Sequence, residues 1–385
     1  MKTPLMIVFV TVLIDLIGFG IVMPILPLWA ETFGASPTEI GLLSASYALM
    51  QVIFAPLWGR LSDRIGRRPV ILVTLAGSAV SSLLIGVANS LLVLFIARIL
   101  NGISGASYAA AQAYVADVTT REERAKGMGM IGAAFGLGFI LGPGIGAGLS
   151  AIDQSAPFFF AAGLAAVNLL LALVWLPESL KPGPVPARVP RVEQFRRAFA
   201  SRELAPLIGL SFVATLAFVG MESTFALLGD RRFGYTAVEV GLLFVVIGVA
   251  AAVSQGGLVG RLVAAHGERQ VMIWGLTGTG AGLALMAVAH DLWLLLAALV
   301  LLGIASGLAF ASLSALISQA APEDEQGGIL GLAASTSGIA RIVGPVSAGA
   351  LFDFVTPGAP LAAGAVLMFV CLGFALRRIP RTAAA

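Results

Sequence analysis

Residues able to titrate near neutrality are scarce in this chain. Its one cysteine, Cys371, excludes an internal disulfide framework and any multi-cysteine metal site. Its two histidines, His266 and His290, fall in short polar stretches, so no imidazole is expected within an apolar segment. Charged residues make up only 11% of the sequence, whereas soluble domains carry about a quarter. With 58% hydrophobic residues and a mean hydropathy of +0.98, a water-soluble globule is excluded. The net charge of +3 is spread over connections between apolar runs and forms no basic face, which argues against a nucleic-acid partner. No Ser-His-Asp set, metal cluster or phosphate-binding glycine loop is present, so neither an enzyme nor a cofactor is expected. Buried proton chemistry is left to carboxylates.

What is present is apolar length. A helix crossing a roughly 30 Å hydrocarbon core needs about 20 residues. Runs of that size occur at 5–30, 38–58, 69–88, 91–116, 127–150, 157–176, 204–228, 236–259, 270–289, 292–317, 327–351 and 360–376. The fold class expected is therefore an all-α integral membrane protein with twelve transmembrane helices. The first run follows Lys2, is too long for a signal core, carries Asp15 and lacks a cleavage site, so it is expected to be retained. The longest connection, with prolines 177, 182, 184, 186 and 190, turns basic and amphipathic toward its end. It divides the chain into bundles at 1–180 and 204–385, joined by a cytoplasmic linker at 181–203.

Arginine and lysine set the orientation. With both termini inside, Lys2, the 59–69 loop, Arg121, Arg124, Lys126, the linker, Arg261, Arg269 and the tail arginines are all cytoplasmic, and only Arg231 and Arg232 fall outside. Arg98 and Arg341 lie within spans. The halves also repeat. Phe33-Gly34 and Glu39-Ile40-Gly41-Leu42-Leu43 recur 200 positions on as Phe233-Gly234 and Glu239-Val240-Gly241-Leu242-Leu243. Gly59-Arg60-Leu61 recurs as Gly260-Arg261-Leu262, and Gly142-Pro143 as Gly344-Pro345. Such a duplication predicts two pseudo-symmetric six-helix bundles with a substrate site near the midplane.

The loop Gly59–Arg68, Arg98 with Gly102, and Gly138-x-x-x-Gly142-Pro143 together resemble the major facilitator superfamily. Leu13-Ile14-Asp15, Met23-Pro24-Ile25-Leu26-Pro27, Ser62-Asp63-Arg64 and Leu176-Pro177-Glu178-Ser179 are similar to the twelve-helix drug:proton antiporters, and within them the tetracycline-efflux proteins. That resemblance implies a monomer in the bacterial cytoplasmic (inner) membrane. It also implies that helices 1, 4, 7 and 10 line a central cavity. Gly138, Gly142, Pro143 and Gly146 would be the antiporter motif of helix 5, with Ala147 where a second glycine is usual. The loop residues Gly59, Asp63, Arg64, Gly66, Arg67 and Arg68 would form a conformational latch, in which Asp63 meets the cytoplasmic start of helix 11 near Gly327-Gly328.

The residues supply their own reading of the chemistry. Arg98, Asn101, Gly105, Tyr108 and Gln112 share one face of helix 4, and a charge at that depth belongs beside a cavity and not lipid. Ser211, Thr215, Phe218, Glu222 and Phe225 form a second stripe on helix 7, and Tyr47, Gln51, Phe54 and Trp58 a mostly aromatic one on helix 2. Tyr47, Gln51, Asn101, Tyr108, Gln112 and Phe218 are the candidate cavity residues. Asp15 and Glu222 are the candidate proton carriers, with Arg98 as electrostatic partner. Helix 9, Val271 to Ala289, carries no acid where the tetracycline exporters have one, so Glu222 is expected to serve instead. Arg341 is read as structural. The function expected is proton-coupled export of an amphiphilic small molecule by alternating access. Its alternatives are proton-coupled transport of a metabolite such as a sugar, which would want a more polar cavity, and a non-transporting sensor or lipid-handling protein.

Overall fold

The computed structural model describes residues 3–105, 107–180, 196, 198–322 and 325–378, apart from the side chains of 3, 107–109, 121–122 and 124–126. All regular structure among the described residues is helical, and ten helices are long and apolar enough to cross a membrane. The protein is a multi-pass membrane protein. The first six spans are α1 (Thr3–Glu31), α2 (Pro37–Ile65), α3 (Arg67–Gly86), the pair α4 (Leu91–Ser104) and α5 (Ser107–Val118), α6 (Arg121–Ser150) and α7 (Ala156–Trp175). The second six begin with α8 (Leu204–Phe233) and α9 (Ala237–Val253), which continues through a π turn at Ser254–Leu258 into α10 (Val259–Val288). They end with α11 (Leu292–Ala320), α12 (Gln326–Phe354) and α13 (Ala359–Arg378). Two of the expected spans, 236–259 and 270–289, lie on one continuous helical stretch formed by α9, the π turn and α10, whose path is interrupted at Gly267 (φ 78°, ψ 158°). Most of the 181–203 linker, including its expected surface helix, lies outside the described residues.

Two expectations about local structure change. The fourth span is not one regular helix, because α4 ends at Ser104 and Gly105 (φ −68°, ψ 14°) departs from helical geometry. The charged loop after Gly59 is not a loop either. Helix α2 runs on to Ile65, and the chain reverses on Gly66 alone before α3 begins at Arg67. Isoleucine, leucine and arginine are competent helix formers and nothing before Gly66 breaks the pattern, so charge alone gave a misleading sign of irregular backbone.

Close contact divides the chain into two compact units. One comprises Met1–Ser36, Leu42–Pro186 and Tyr235–Val245, the other Pro37–Gly41, Ala187–Gly234 and Val246–Ala385. Inside each, the helices approach through glycine. A Cβ on Gly142 would lie 2.7 Å from Gly20 Cα, and one on Gly138 would lie 2.7 Å from Leu16 Cβ, which presses α6 against α1. The second unit repeats this at Gly344, where a Cβ would lie 3.1 Å from the Leu216 carbonyl oxygen, drawing α12 onto α8. Gly102 backs onto the Tyr47 carbonyl, and a Cβ on Gly303, one repeat later, would lie 2.7 Å from the Ile247 carbonyl oxygen in the same sense. Without water at depth, apolar burial supplies no drive between helices, and close backbone approach takes over that work.

The two short segments grouped with the opposite repeat follow the same logic. In the second unit Gly41 lies against the Pro345 carbonyl, while Thr38 donates from N and Oγ1 to Asp353 Oδ2 at 3.2 and 2.6 Å. In the first, a Cβ on Gly241 would lie 2.9 Å from the Pro143 carbonyl oxygen. Glycine is required only where something is close. Gly132 has no atom within 4 Å of its missing Cβ. Gly132→Ala should therefore leave the melting temperature of the purified protein unchanged. Gly142→Ala should cost about 1–3 kcal/mol by overpacking, seen as a fall of several degrees in the same melt.

Candidate functional site

Asp15 sits twelve residues into α1, about 18 Å from its start at 1.5 Å per residue, within a span otherwise free of charge. It lines a small apolar recess with Val12 and Leu16 of its own helix, Ile71 and Leu75 of α3, and Ala111 of α5. One turn back, the Thr11 carbonyl accepts a 2.8 Å bond from Asn168 Nδ2, which fixes α7 against α1. The carboxyl group is thus placed among aliphatic side chains.

Arg98 is 7% exposed, and its guanidinium lies over the Tyr47 ring at 4.4 Å from the centroid. A cation over an aromatic face at that range is stabilised by the ring quadrupole. Among the described residues, Arg98 Nε has no hydrogen-bond partner. The ring is fixed from two sides, by Gln51 Nε2 donating to Tyr47 Oη at 3.2 Å and by a tilted contact with Phe19 at 5.7 Å between centroids. The same Gln51 amide donates to the Gly105 carbonyl at 3.1 Å, where the fourth span is broken. Arg98, Tyr47, Gln51 and Gly105 are therefore brought together. Asn101 is not with them, since its Nδ2 donates to Ser81 Oγ of α3 at 2.8 Å. The helix 4 stripe faces two neighbours, because the break at Gly105 ends the regular turn on which the stripe was drawn. Gln112 is half-buried on α5, and the side chain of Tyr108 lies outside the described residues.

In the second unit, Thr215 is buried and bonds Ser337 of α12 at 3.4 Å. Phe218 meets Phe310 of α11 edge to face at 5.8 Å. One turn on, Glu222 is half-buried. Arg341 of α12 is exposed. The two arginines expected outside, Arg231 and Arg232, also divide. Arg232 Nη1 donates to the carbonyls of Ala287 and Ala289 at 2.8 and 3.0 Å, capping the negative end of α10. Its break with the charge bias has a structural cause.

The corner at Gly66 is the most densely bonded charged region. Arg67 Nη1 pairs with Asp63 at 2.6 Å and donates to Ser62 Oγ at 2.7 Å, while its Nε meets Asp117 at 3.0 Å. Ser179 Oγ donates to the same Asp117 oxygen at 3.2 Å. Glu178 was quoted from the sequence only as part of a family signature, yet it closes the corner. Its Oε1 accepts from the backbone N–H groups of Arg67, Ser179 and Leu180, each at 2.9 Å, and its Oε2 from Arg68 N at 3.1 Å. It thus caps α3 from a segment more than a hundred positions away. The sequence signal for this is an acid directly after the proline that ends an apolar run. Gly66, with φ 109° and ψ 158°, is in a region open essentially to glycine alone, and a Cβ there would run into the Glu178 carboxylate. Gly59 has open space beside its missing Cβ, but its carbonyl accepts from Ser62 Oγ at 2.9 Å and so joins the network, while Arg64 is exposed.

Burial pushes the Glu178 carboxyl up, but the four N–H donors together outweigh it and leave it below the usual glutamate range. A folded-state value below the unfolded one contributes stability above the unfolded value and loses it as pH falls through the folded one. Glu178→Gln should therefore melt below wild type at neutral pH, by about 1 kcal/mol after screening of this exposed group. The gap should close in melts taken at pH well below the glutamate range. Gly66→Ala should cost about 1–3 kcal/mol of backbone strain that persists in the low-pH melts, with the Glu178 contribution lost in addition at neutral pH, because the new Cβ displaces that carboxylate.

Comparison with known proteins identifies relatives of the chain. The profile of the Major Facilitator Superfamily matches residues 8–265 and 233–385. Tetracycline resistance protein class C of Escherichia coli is 35% identical over 384 residues, covering 97% of this chain and 96% of that one. Multidrug resistance protein 1 of Bacillus subtilis (strain 168) is 30% identical over 356 residues, covering 91% and 90%. Among solved structures, the nucleoside transporter NupG aligns with a TM-score of 0.79 at 14% identity, covering 99% of this chain and 100% of that one. That last likeness concerns the fold alone.

Proposed function

The chain belongs to the major facilitator superfamily, and from that premise we propose that it exports amphiphilic small molecules in exchange for protons by alternating access. The observation that carries this reading is the placement of two carboxylates, Asp15 and Glu222, deep inside α1 and α8 rather than at helix ends. A carboxyl held at that depth binds and releases a proton without a fixed charge remaining in a span, and no imidazole lies at depth to do so. The names of relatives at 30% and 35% identity, resistance proteins for tetracycline and for multiple drugs, support export of a drug-like molecule. Aromatic and apolar faces at Phe19, Tyr47 and Phe218 suit an amphiphile better than a polyhydroxylated metabolite.

In this reading the protein sits in the bacterial cytoplasmic membrane with both termini inside. Asp63, Arg67 and Asp117 serve switching between states rather than substrate binding. The proton is the coupling ion, and no other cofactor is needed. One charge moving through about 100 mV releases about 2.3 kcal/mol, enough to hold a substrate gradient of roughly fiftyfold.

The test is export from proteoliposomes carrying an imposed pH gradient, with and without an uncoupler. Wild type should move a fluorescent amphiphile uphill until the uncoupler is added. Asp15→Asn should abolish uphill movement and leave binding, read by tryptophan quenching, within about threefold (an allowance of roughly 0.7 kcal/mol). Undiminished uphill export by Asp15→Asn would remove Asp15 from the coupling step.

A further inference from the structure

The recess beside Asp15 lies one helical turn from the charged corner at Gly66. On α3, Arg67 belongs to the corner, while Ile71 and Leu75, on the next two turns of the same face, line the recess. On α5 the order runs the other way. Ala111 lines the recess, Tyr114 follows one turn on, and Asp117, a turn later, pairs with Arg67 at 3.0 Å. Tyr114 thus stands between recess and corner. It is fully buried in the same apolar cluster as Ile71, Leu75 and Ala111, and its Oη donates to the Pro177 carbonyl at 3.1 Å. The next two residues, Glu178 and Ser179, are bonded to Arg67 N and to Asp117, so the segment that holds Tyr114 is itself held by the corner.

The recess holds about 20 Å³, enough for one water molecule, and Asp15 and Thr11 bring polar side chains to its lining. Behind Thr11, Asn168 is fully buried. Its Nδ2 is spent on the Thr11 carbonyl at 2.8 Å, and among the described residues its Oδ1 has no hydrogen-bond partner. A buried amide oxygen left unpaired is costly, and water is what usually satisfies one. The other ionisable groups on the helices around Asp15 stand above or below this layer. Helix α7 has none, and those of α6 are confined to residues 121–126. Those of α3 are Arg67 and Arg68, and α5 adds to Tyr114 and Asp117 only Tyr108, whose side chain lies outside the described residues. Toward the other end of α1, Arg98 lies over Tyr47, whose ring meets Phe19 one turn beyond Asp15.

We propose that this recess is the passage by which the Asp15 proton reaches the cytoplasm, with Tyr114 as its plug. The inference rests on the exporter reading above and on the orientation given there, and it adds the proton's route. The Asp15 O–H bond breaks and the proton passes to a water in the recess. A second transfer carries it past Tyr114 to solvent at the corner, and Asp15 is left as the carboxylate. Tyr114 is a positioning residue, since it bars the way and takes no proton for itself. Its bond to Pro177 ties the plug to the Arg67–Asp117 pair, so undoing the corner frees the plug and times the release. Proton and exported molecule then leave by separate paths, and neither has to wait for the other to clear a shared one.

The test reads the carboxyl itself and needs no transported ligand. The full chain in lipid nanodiscs is moved from light to heavy water at a pH where the infrared band of the protonated Asp15 carboxyl is present. That band is identified by its loss in Asp15→Asn, and the rate of its isotope shift is followed. Ala111→Leu, which fills the recess, should slow the shift about tenfold. Tyr114→Phe, which keeps the ring and loses the bond to Pro177, should speed it about tenfold. The double variant should be as slow as Ala111→Leu, because the recess lies deeper than the plug. Loosened packing would speed exchange in every variant, so a slowed one is not a misfolded one. Wild-type rates in Ala111→Leu or in Tyr114→Phe would overturn the route and leave Asp15 as the proton carrier. Carboxyl bands unaltered in Asp15→Asn at every pH would overturn the carrier assignment as well.

Discussion

Everything in this structure answers to the exclusion of water from the middle of each helix. A backbone that cannot bond to solvent must bond to itself, which makes helices obligatory. Helices that gain nothing from burying apolar surface against apolar lipid must come together by other means. Here those means are glycines set where a neighbouring carbonyl or Cα would collide with any side chain. Gly138 and Gly142 against α1, and Gly344 against α8, are the same solution used twice. The few charges left inside then mark places where something other than lipid is near.

The two copies of the repeat have kept this scaffold and changed what it carries. The Ile103 and Ile304 carbonyls, a repeat apart, each accept a side-chain bond from the neighbouring helix, but from Trp58 at 2.7 Å in one copy and Ser254 at 2.9 Å in the other. Pro56 interrupts the bonding of α2 at the level where the second copy has its π turn. Different residues thus produce a local irregularity at one depth in both copies, and such irregularities free backbone groups that a regular helix would consume.

Much of the architecture was legible in the sequence because span length, positive charge in connections and the 200-residue repeat each report one strong physical constraint. The twelve spans and the family rest on those. Finer features were less legible wherever two constraints competed. Gly59 to Ile65 carries enough charge to resemble a loop, but its propensity is helical and the helix persists to Gly66. The stripe through Arg98 and Asn101 assumed unbroken helical phase, and the stop before Gly105 splits it between α2 and α3. Asp15 and Glu222 were visible because an acid inside an apolar run is rare. The role of Glu178 was not, because its partners are backbone N–H groups more than a hundred residues away, and no local pattern encodes them.

Phe139 and Arg341 occupy equivalent places in the two copies, three residues before Gly142 and Gly344. Phe139 packs on Phe135 at 4.8 Å between centroids and reaches Phe19 at 6.2 Å, while Arg341 is exposed. One backbone position thus holds an aromatic ring in one copy and a guanidinium in the other, and the helix spacing is set elsewhere, at the glycines. Specificity and architecture are in this way written in separate sets of residues. A lineage built on such a frame is free to exchange one cargo for another through a handful of substitutions, with no need to re-solve how its helices fit together.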